Sequence, residues 1–231
     1  MPIERSATNQ VLAEEGWESL LRSCEPLCIR YAPGEMICQT GSYVAGIHLV
    51  LRGAVSDSVA QTGAERPRCD ILDAGDLIGL EVLAASSEAL SSSLCRAVTA
   101  VELLFIERSQ FELALTAHPA LQQSVLHYVM ARYLEARRAP RESTRIDAEC
   151  CRLLLRLAAS CDPPSEGGVV TFPAEITFRT LRELLGISSR QLREVRQSVQ
   201  SLKRIDAHIT FDEAEARSIA DVDPCLSRKA L

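Results

Sequence analysis

The sequence predicts an α+β fold: a β-roll over residues 1–108, a long helix over residues 109–139 and a winged helix-turn-helix over residues 140–231. Three observations predict it. Before residue 108, short apolar runs recur at intervals of about ten residues between turn signals. From Pro119 to Arg138 there is no internal Gly or Pro, and the apolar spacing becomes helical. Near the end, Thr177 to Arg196 reads as a short helix, a Gly turn, a Ser cap and a second helix.

The strands come first. Met36-Ile37-Cys38, Gly46-Ile47-His48-Leu49-Val50-Leu51 and Val98 to Ile106 are punctuated by Pro33-Gly34, Gly41-Ser42, Arg52-Gly53, Thr62-Gly63 and Ala74-Gly75-Asp76. Several short strands so spaced suggest a small barrel or β-roll. The Ser-rich stretch Ala84 to Ser93 reads as a loop or a short helical excursion. The long helix carries two stripes, Leu121, Val125, Tyr128 and Arg132 on one side and Leu126, Val129, Met130 and Tyr133 on the other. A helix apolar on two sides has two things to pack against, its own β-roll and a second copy of itself; Leu121, Val125, Tyr128 and Arg132 are the expected dimerisation residues. A single buried helix in a monomer fits the same pattern. Ile146 to Ala159 is a further amphipathic helix, closed by the loop Asp162 to Gly168. In the last motif Gly186 takes the turn conformation, Ile187 plugs the angle between helices and Ser188 caps the second. Lys203 to Ile205 and His208 to Phe211 then form a hairpin wing.

Composition bounds the function. The chain has 231 residues, 47% hydrophobic, 24% charged and 4% aromatic, enough for one to two domains of roughly 150 residues. A net charge of −6 excludes a protein that coats nucleic acid or membrane with its whole surface. Apolar stretches such as Ala97 to Ile106 fall short of the roughly 18 residues of a membrane span, so no membrane partner is expected. Residues 1–139 hold the whole imbalance, with eleven basic and seventeen acidic side chains, whereas residues 140–231 hold fourteen of each. Within the second part, Arg179 to Arg204 carries seven basic residues against Glu183 and Glu194, a net of +5. The nine cysteines are odd in number, scattered and preceded by no secretory leader, which indicates a reducing cytoplasm. No Gly-rich phosphate loop, nucleophile motif or hydrolytic metal spacing is present, so no enzyme is expected.

Taken in order, Tyr31-Ala32-Pro33-Gly34-Glu35, Gln39-Thr40-Gly41, Leu51-Arg52-Gly53, Ala74-Gly75-Asp76-Leu77-Ile78-Gly79 and Arg96-Ala97-Val98-Thr99-Ala100-Val101-Glu102, then the long helix and Leu184-Leu185-Gly186-Ile187-Ser188, resemble the CRP/FNR family of bacterial transcription regulators over residues 17–215. The resemblance implies an effector β-roll of the cyclic-nucleotide-binding-domain type, a homodimer joined by the long helix and a head that binds double-stranded DNA. It also implies RNA polymerase as a partner. Cyclic-nucleotide-binding members resemble one another in a Gly-Glu pair and a later Arg-Ser or Arg-Thr pair; here the aligned effector-pocket residues are Gly79, Leu80, Ser91 and Ser92. A buried phosphate without its Arg loses its bidentate, charge-assisted contact, so cyclic AMP is not the expected effector. Leu77-Ile78-Gly79-Leu80-Glu81 is more similar to the FNR-like branch, which implies a redox, gas or small-molecule signal.

Members of that branch hold an iron–sulfur cluster on N-terminal cysteines. Cys24, Cys28, Cys38 and Cys95 are the candidate metal or redox residues here, although the family's ligand spacing is absent. Buried thiols behaving as small hydrophobes are the bland alternative. Cys150-Cys151 and Cys161 lie on a helix and read as packing residues, and Cys225 as an exposed redox thiol. Haem is possible through His48, His118 or His127, each of which also has a plain structural reading. The cofactor therefore stays undetermined.

On the helix-turn-helix template, Ser189, Arg190, Arg193 and Glu194 face the major groove, and Arg179, Ser188, Arg196 and Lys203 grip the DNA backbone. These base-reading residues differ from the family's, so no operator sequence carries over. Arg182, where the family is similar in having a small residue, would crowd the second helix. That leaves a second reading open: a signal-binding or protein-interaction module whose helix-turn-helix does not bind DNA in the family manner.

Overall fold

The computed structural model describes residues 21, 24–59, 68–84, 88–138, 145–161 and 163–221. Cys225 lies outside them. Two compact units are present, one formed by Met1–Asp57 with Leu72–Ala139, the other by Ser58–Ile71 with Pro140–Leu231.

The strands before residue 108 are β1 (Leu27–Tyr31), β2 (Met36–Cys38), β3 (Gly46–Arg52), β4 (Val55–Val59), β5 (Arg68–Leu72), β6 (Leu77–Ile78), β7 (Leu94–Ala97) and β8 (Val101–Glu107). They form two four-stranded sheets, ordered β1-β8-β3-β6 and β2-β7-β4-β5. Alternation along the strands sorts their side chains. Val50, Val55, Ile78, Cys95, Ala97 and Leu103 form one apolar cluster drawn from both sheets, while Ile47, Leu49 and Ile106 point to the other face. That second face is covered by α1 (Arg108–Ala117) and α2 (Pro119–Arg138), which bury Phe111, Leu121, Val125 and Tyr128 against it. The expected strand Val98 to Ile106 is shorter than predicted, because Val98 to Ala100 form the turn on which Gly53 packs. The Ser-rich stretch is preceded by a 3₁₀ turn, Leu80–Leu83. Gly79, at φ +90°, opens that turn where any Cβ would meet the Gly46 carbonyl oxygen at 2.6 Å.

In the second unit α3 (Ile146–Cys161) buries Ala148, Cys150, Cys151, Leu153, Leu154 and Leu157. The loop expected at Asp162 to Gly168 contains β9 (Ser165–Glu166), which pairs with β10 (Val169–Thr171) just after it. Then come α4 (Phe178–Leu185), α5 (Ser189–Ser198), β11 (Lys203–Ile205), β12 (His208–Asp212) and α6 (Glu213–Asp221). The four strands make one sheet, ordered β11-β12-β10-β9. Phe172 and Phe211 stack beneath it with ring centroids 5.5 Å apart. Among the described residues no helix is long and apolar enough to cross a membrane.

Candidate functional site

The basic segment is folded around its own caps. Thr177 caps α4 and Ser188 caps α5, and each forms a capping box with the residue three positions on, Thr180 and Gln191. Gly186 ends α4 in the left-handed region at φ +61°, and Ile187 is buried between the helices. Helical period then divides α5. Leu192 and Val195 face the core, while Ser189, Arg190, Arg193, Glu194 and Arg196 lie exposed. Arg190 pairs with Glu194 at 3.0 Å and Arg179 with Glu183 at 2.8 Å, both one helical turn apart on exposed surface. Such exposed pairs are weak and screened by solvent, so a phosphate or a base edge can replace either partner. Arg193 Nε donates to the Ser189 carbonyl oxygen, and the Arg196 guanidinium sits 4.5 Å from the centre of the Phe178 ring, bracing α5 on α4. Lys203 and Arg204 are exposed on β11. Arg182 does not split the two helices: its guanidinium crosses the turn and donates to Ser189 Oγ at 2.9 Å.

The long helix corrects the sequence-based dimer assignment. Leu121, Val125 and Tyr128, expected at a seam between copies, are buried in the protomer's own core. Tyr128 donates to Asp76 Oδ1 at 2.9 Å and accepts the Leu77 N–H at 3.0 Å, tying α2 to the β-roll. Arg132, the fourth residue of that stripe, is half-buried with its charge near Asp76. The stripe left exposed is the opposite one, with Leu126 at 58%, Met130 at 45% and Tyr133 at 52%. The physical reason is the β3 and β8 face, whose Ile47, Leu49 and Ile106 need a cover that the hydroxyl of Tyr128 can anchor.

Of the effector residues, Gly79 and Leu80 open the 3₁₀ turn and Ser91 is buried, donating to the Ser93 carbonyl oxygen. Ser92 is exposed, and its N–H and Oγ both donate to Glu81 Oε1, at 2.9 and 2.7 Å. A carboxylate of the chain thus holds the pair of donors that a bound anion would need. Glu81 was not singled out from the sequence, since only the fold brings it across to Ser92. The nearest basic residue in the sequence, Arg96, turns away and donates to the Gly34 carbonyl oxygen.

The four candidate cysteines do not converge. Cys24 is buried and donates to the Gln110 carbonyl oxygen, and Cys28 is exposed on β1, bonded to Glu102. Cys38 and Cys95 face each other across β2 and β7. No group of three or more possible metal ligands comes together among the described residues. Cys150 and Cys151 are buried, and desolvation pushes both thiols up to about 12. His48 is held down by burial beside Phe105, His118 closes α1, and His127 is exposed on α2.

Residues 28–118 match the family model of the cyclic nucleotide-binding domain, which defines the class of the β-roll. Over most of its length the chain has the fold of solved bacterial regulators. One is the c-di-GMP responsive global regulator CLP of Xanthomonas campestris, 16% identical over 86% of this chain and 98% of that one, with a TM-score of 0.61. FixK2 of Bradyrhizobium japonicum is 13% identical over 84% and 97% of the two chains, with a TM-score of 0.59. A transcriptional regulator of the CRP/FNR family from Thermus thermophilus is 15% identical over 84% and 98%, with a TM-score of 0.58. No curated protein sequence matches the chain.

Proposed function

We propose that the protein is a homodimeric, sequence-specific DNA-binding transcription regulator of the CRP/FNR type, acting in a reducing cytoplasm and answering a signal other than cyclic AMP. Residues 1–108 sense, 109–139 dimerise and 140–231 read DNA, with α4 and α5 as the helix-turn-helix and β11–β12 as its wing. RNA polymerase is the protein partner such a regulator addresses.

The observation that carries this reading is the division of α5. Ser189, Arg190, Arg193 and Glu194 line its exposed N-terminal turns while Leu192 and Val195 anchor it. That is the geometry with which a recognition helix enters the major groove, with Arg179, Ser188, Arg196 and Lys203 at phosphates. The dimer reading is supported by the exposed stripe Leu126, Val129, Met130 and Tyr133, whose spacing of three and four residues makes a narrow seam suited to a second copy of the same helix. A dimer of this kind is expected to meet half-sites roughly 34 Å apart. Cyclic AMP is disfavoured because Ser91 and Ser92 stand where the family's phosphate-holding Arg and its neighbour would, and Glu81 accepts from both donors of Ser92.

Selection of duplexes from a random pool, followed by anisotropy on the enriched sequence, tests the reading. A palindromic site is expected, and R193A and R190A should each lose about 1–3 kcal/mol of affinity if they read bases. No enrichment by the purified dimer under either reducing or oxidising conditions overturns it and favours the interaction-module reading.

A further inference from the structure

Cys38 and Cys95 are register partners on the antiparallel strands β2 and β7. Opposed residues in such a pair carry Cβ atoms about 4.5–5.5 Å apart, close to the span a disulfide bridges. The register shifts between Met36 and Cys38, and this irregularity sets Cys38, in place of Ile37, opposite Cys95. The two sulfurs differ in access, Cys38 half-exposed and Cys95 buried. Around them stand Ser91 Oγ, 3.6 Å from Cys38 Sγ, Ser93 Oγ, 3.5 Å from Cys95 Sγ, and Asp57 Oδ1, 3.6 Å from Cys95 Sγ.

We infer that Cys38 and Cys95 are a dithiol that a hydroperoxide converts to a reversible disulfide, Cys38 attacking and Cys95 resolving. The Cys95 thiol and backbone beside it hold the Cys38 thiol down to about 7, whereas the neighbouring sulfur, burial and Asp57 keep the proton on Cys95. In the first step Cys38 Sγ attacks a peroxide oxygen, the O–O bond breaks, and hydroxide leaves to take up a proton as water. Cys38 is then a sulfenic acid. In the second step Cys95 Sγ attacks Cys38 Sγ, the S–S bond forms and the S–O bond breaks. The oxygen leaves as water with the Cys95 proton, which Asp57 Oδ1 is placed to relay. Two thiols lose two electrons and two protons, and hydrogen peroxide becomes two waters. The bond would displace Ser91 from Cys38 and so disturb the segment in which Ser92 holds Glu81. Only this consequence, an oxidant as the signal of the β-roll, rests on the regulator reading; the disulfide does not.

The test uses the full-length reduced protein, treated anaerobically with equimolar hydrogen peroxide, quenched with N-ethylmaleimide and digested with cleavage at Glu88 so that Cys95 is separated from Cys69. A Cys38–Cys95 cross-linked peptide lacking two hydrogens, removed by dithiothreitol, is the expected product. C95S should leave a dimedone-trappable sulfenic acid on Cys38, and C38S should leave Cys95 reduced. A Cys38 that proceeds to sulfinic acid without a cross-link overturns the inference, as does disulfide formation confined to other cysteines. Because the assay does not measure DNA binding, a disulfide in a protein that enriches no duplex sinks the regulator reading and leaves the dithiol standing.

Discussion

Asp76 shows how a single residue couples the β-roll to its helix. Its carboxylate is buried at 4% exposure in the Ala74-Gly75-Asp76 turn, accepting from Tyr128 Oη on α2 and from the Asp73 N–H. Burial pushes it up to about 6, against the opposing pull of Arg132, the Asp73 N–H and the Tyr128 hydroxyl. An unfolded Asp titrates near ~3.9, so the folded state holds the proton more tightly. The contribution of this group to stability is therefore fully present below about pH 4 and is lost as pH rises through about 6. The difference between those two values corresponds to a loss on the order of 3 kcal/mol. Urea midpoints should fall between pH 4 and pH 6 more steeply in the natural protein than in D76N. Equal slopes would show that Asp76 is not buried as a proton-binding group.

At the scale of elements, α2 is the decisive case because one apolar face is buried against the roll and the other is exposed. Leu121 is fully buried against the roll, so L121A should lower folding stability by about 2–5 kcal/mol, seen as a reduced urea midpoint. Leu126 is exposed at 58%, so L126E should leave the circular dichroism of the fold intact. Sedimentation of L126E should instead show a monomer, since a charge at the seam must be desolvated on pairing. A dimer that survives L126E and M130E together would place the contact elsewhere. For α4 and α5 the periodicity alone gave the turn, the cap and the buried plug at Ile187. It missed that Arg182 has a local acceptor in Ser189 Oγ, because that bond forms only once the turn has closed.

For the whole molecule, charge distribution is where the proposed DNA binding is tested. The net charge of −6 belongs to residues 1–139, while Arg179 to Arg204 carries a net of +5. Binding should therefore weaken steeply with salt, and removing one phosphate contact, as in K203A, should lower the slope of log K against log salt by about one. An unchanged slope would take Lys203 off the phosphate path. The sequence by itself determined what is periodic or local: strand runs between turn glycines, helices with their caps, and the basic segment that coincides with one of them. Tertiary structure alone decided which stripe of α2 is covered, because both stripes are apolar and only the β-roll face, with Asp76 waiting for a hydroxyl, distinguishes Tyr128 from Tyr133. It also decided which of the scattered cysteines meet. Cys38 and Cys95 are far apart in the chain, and only strand register, a product of side-chain alternation across the whole sheet, sets one opposite the other.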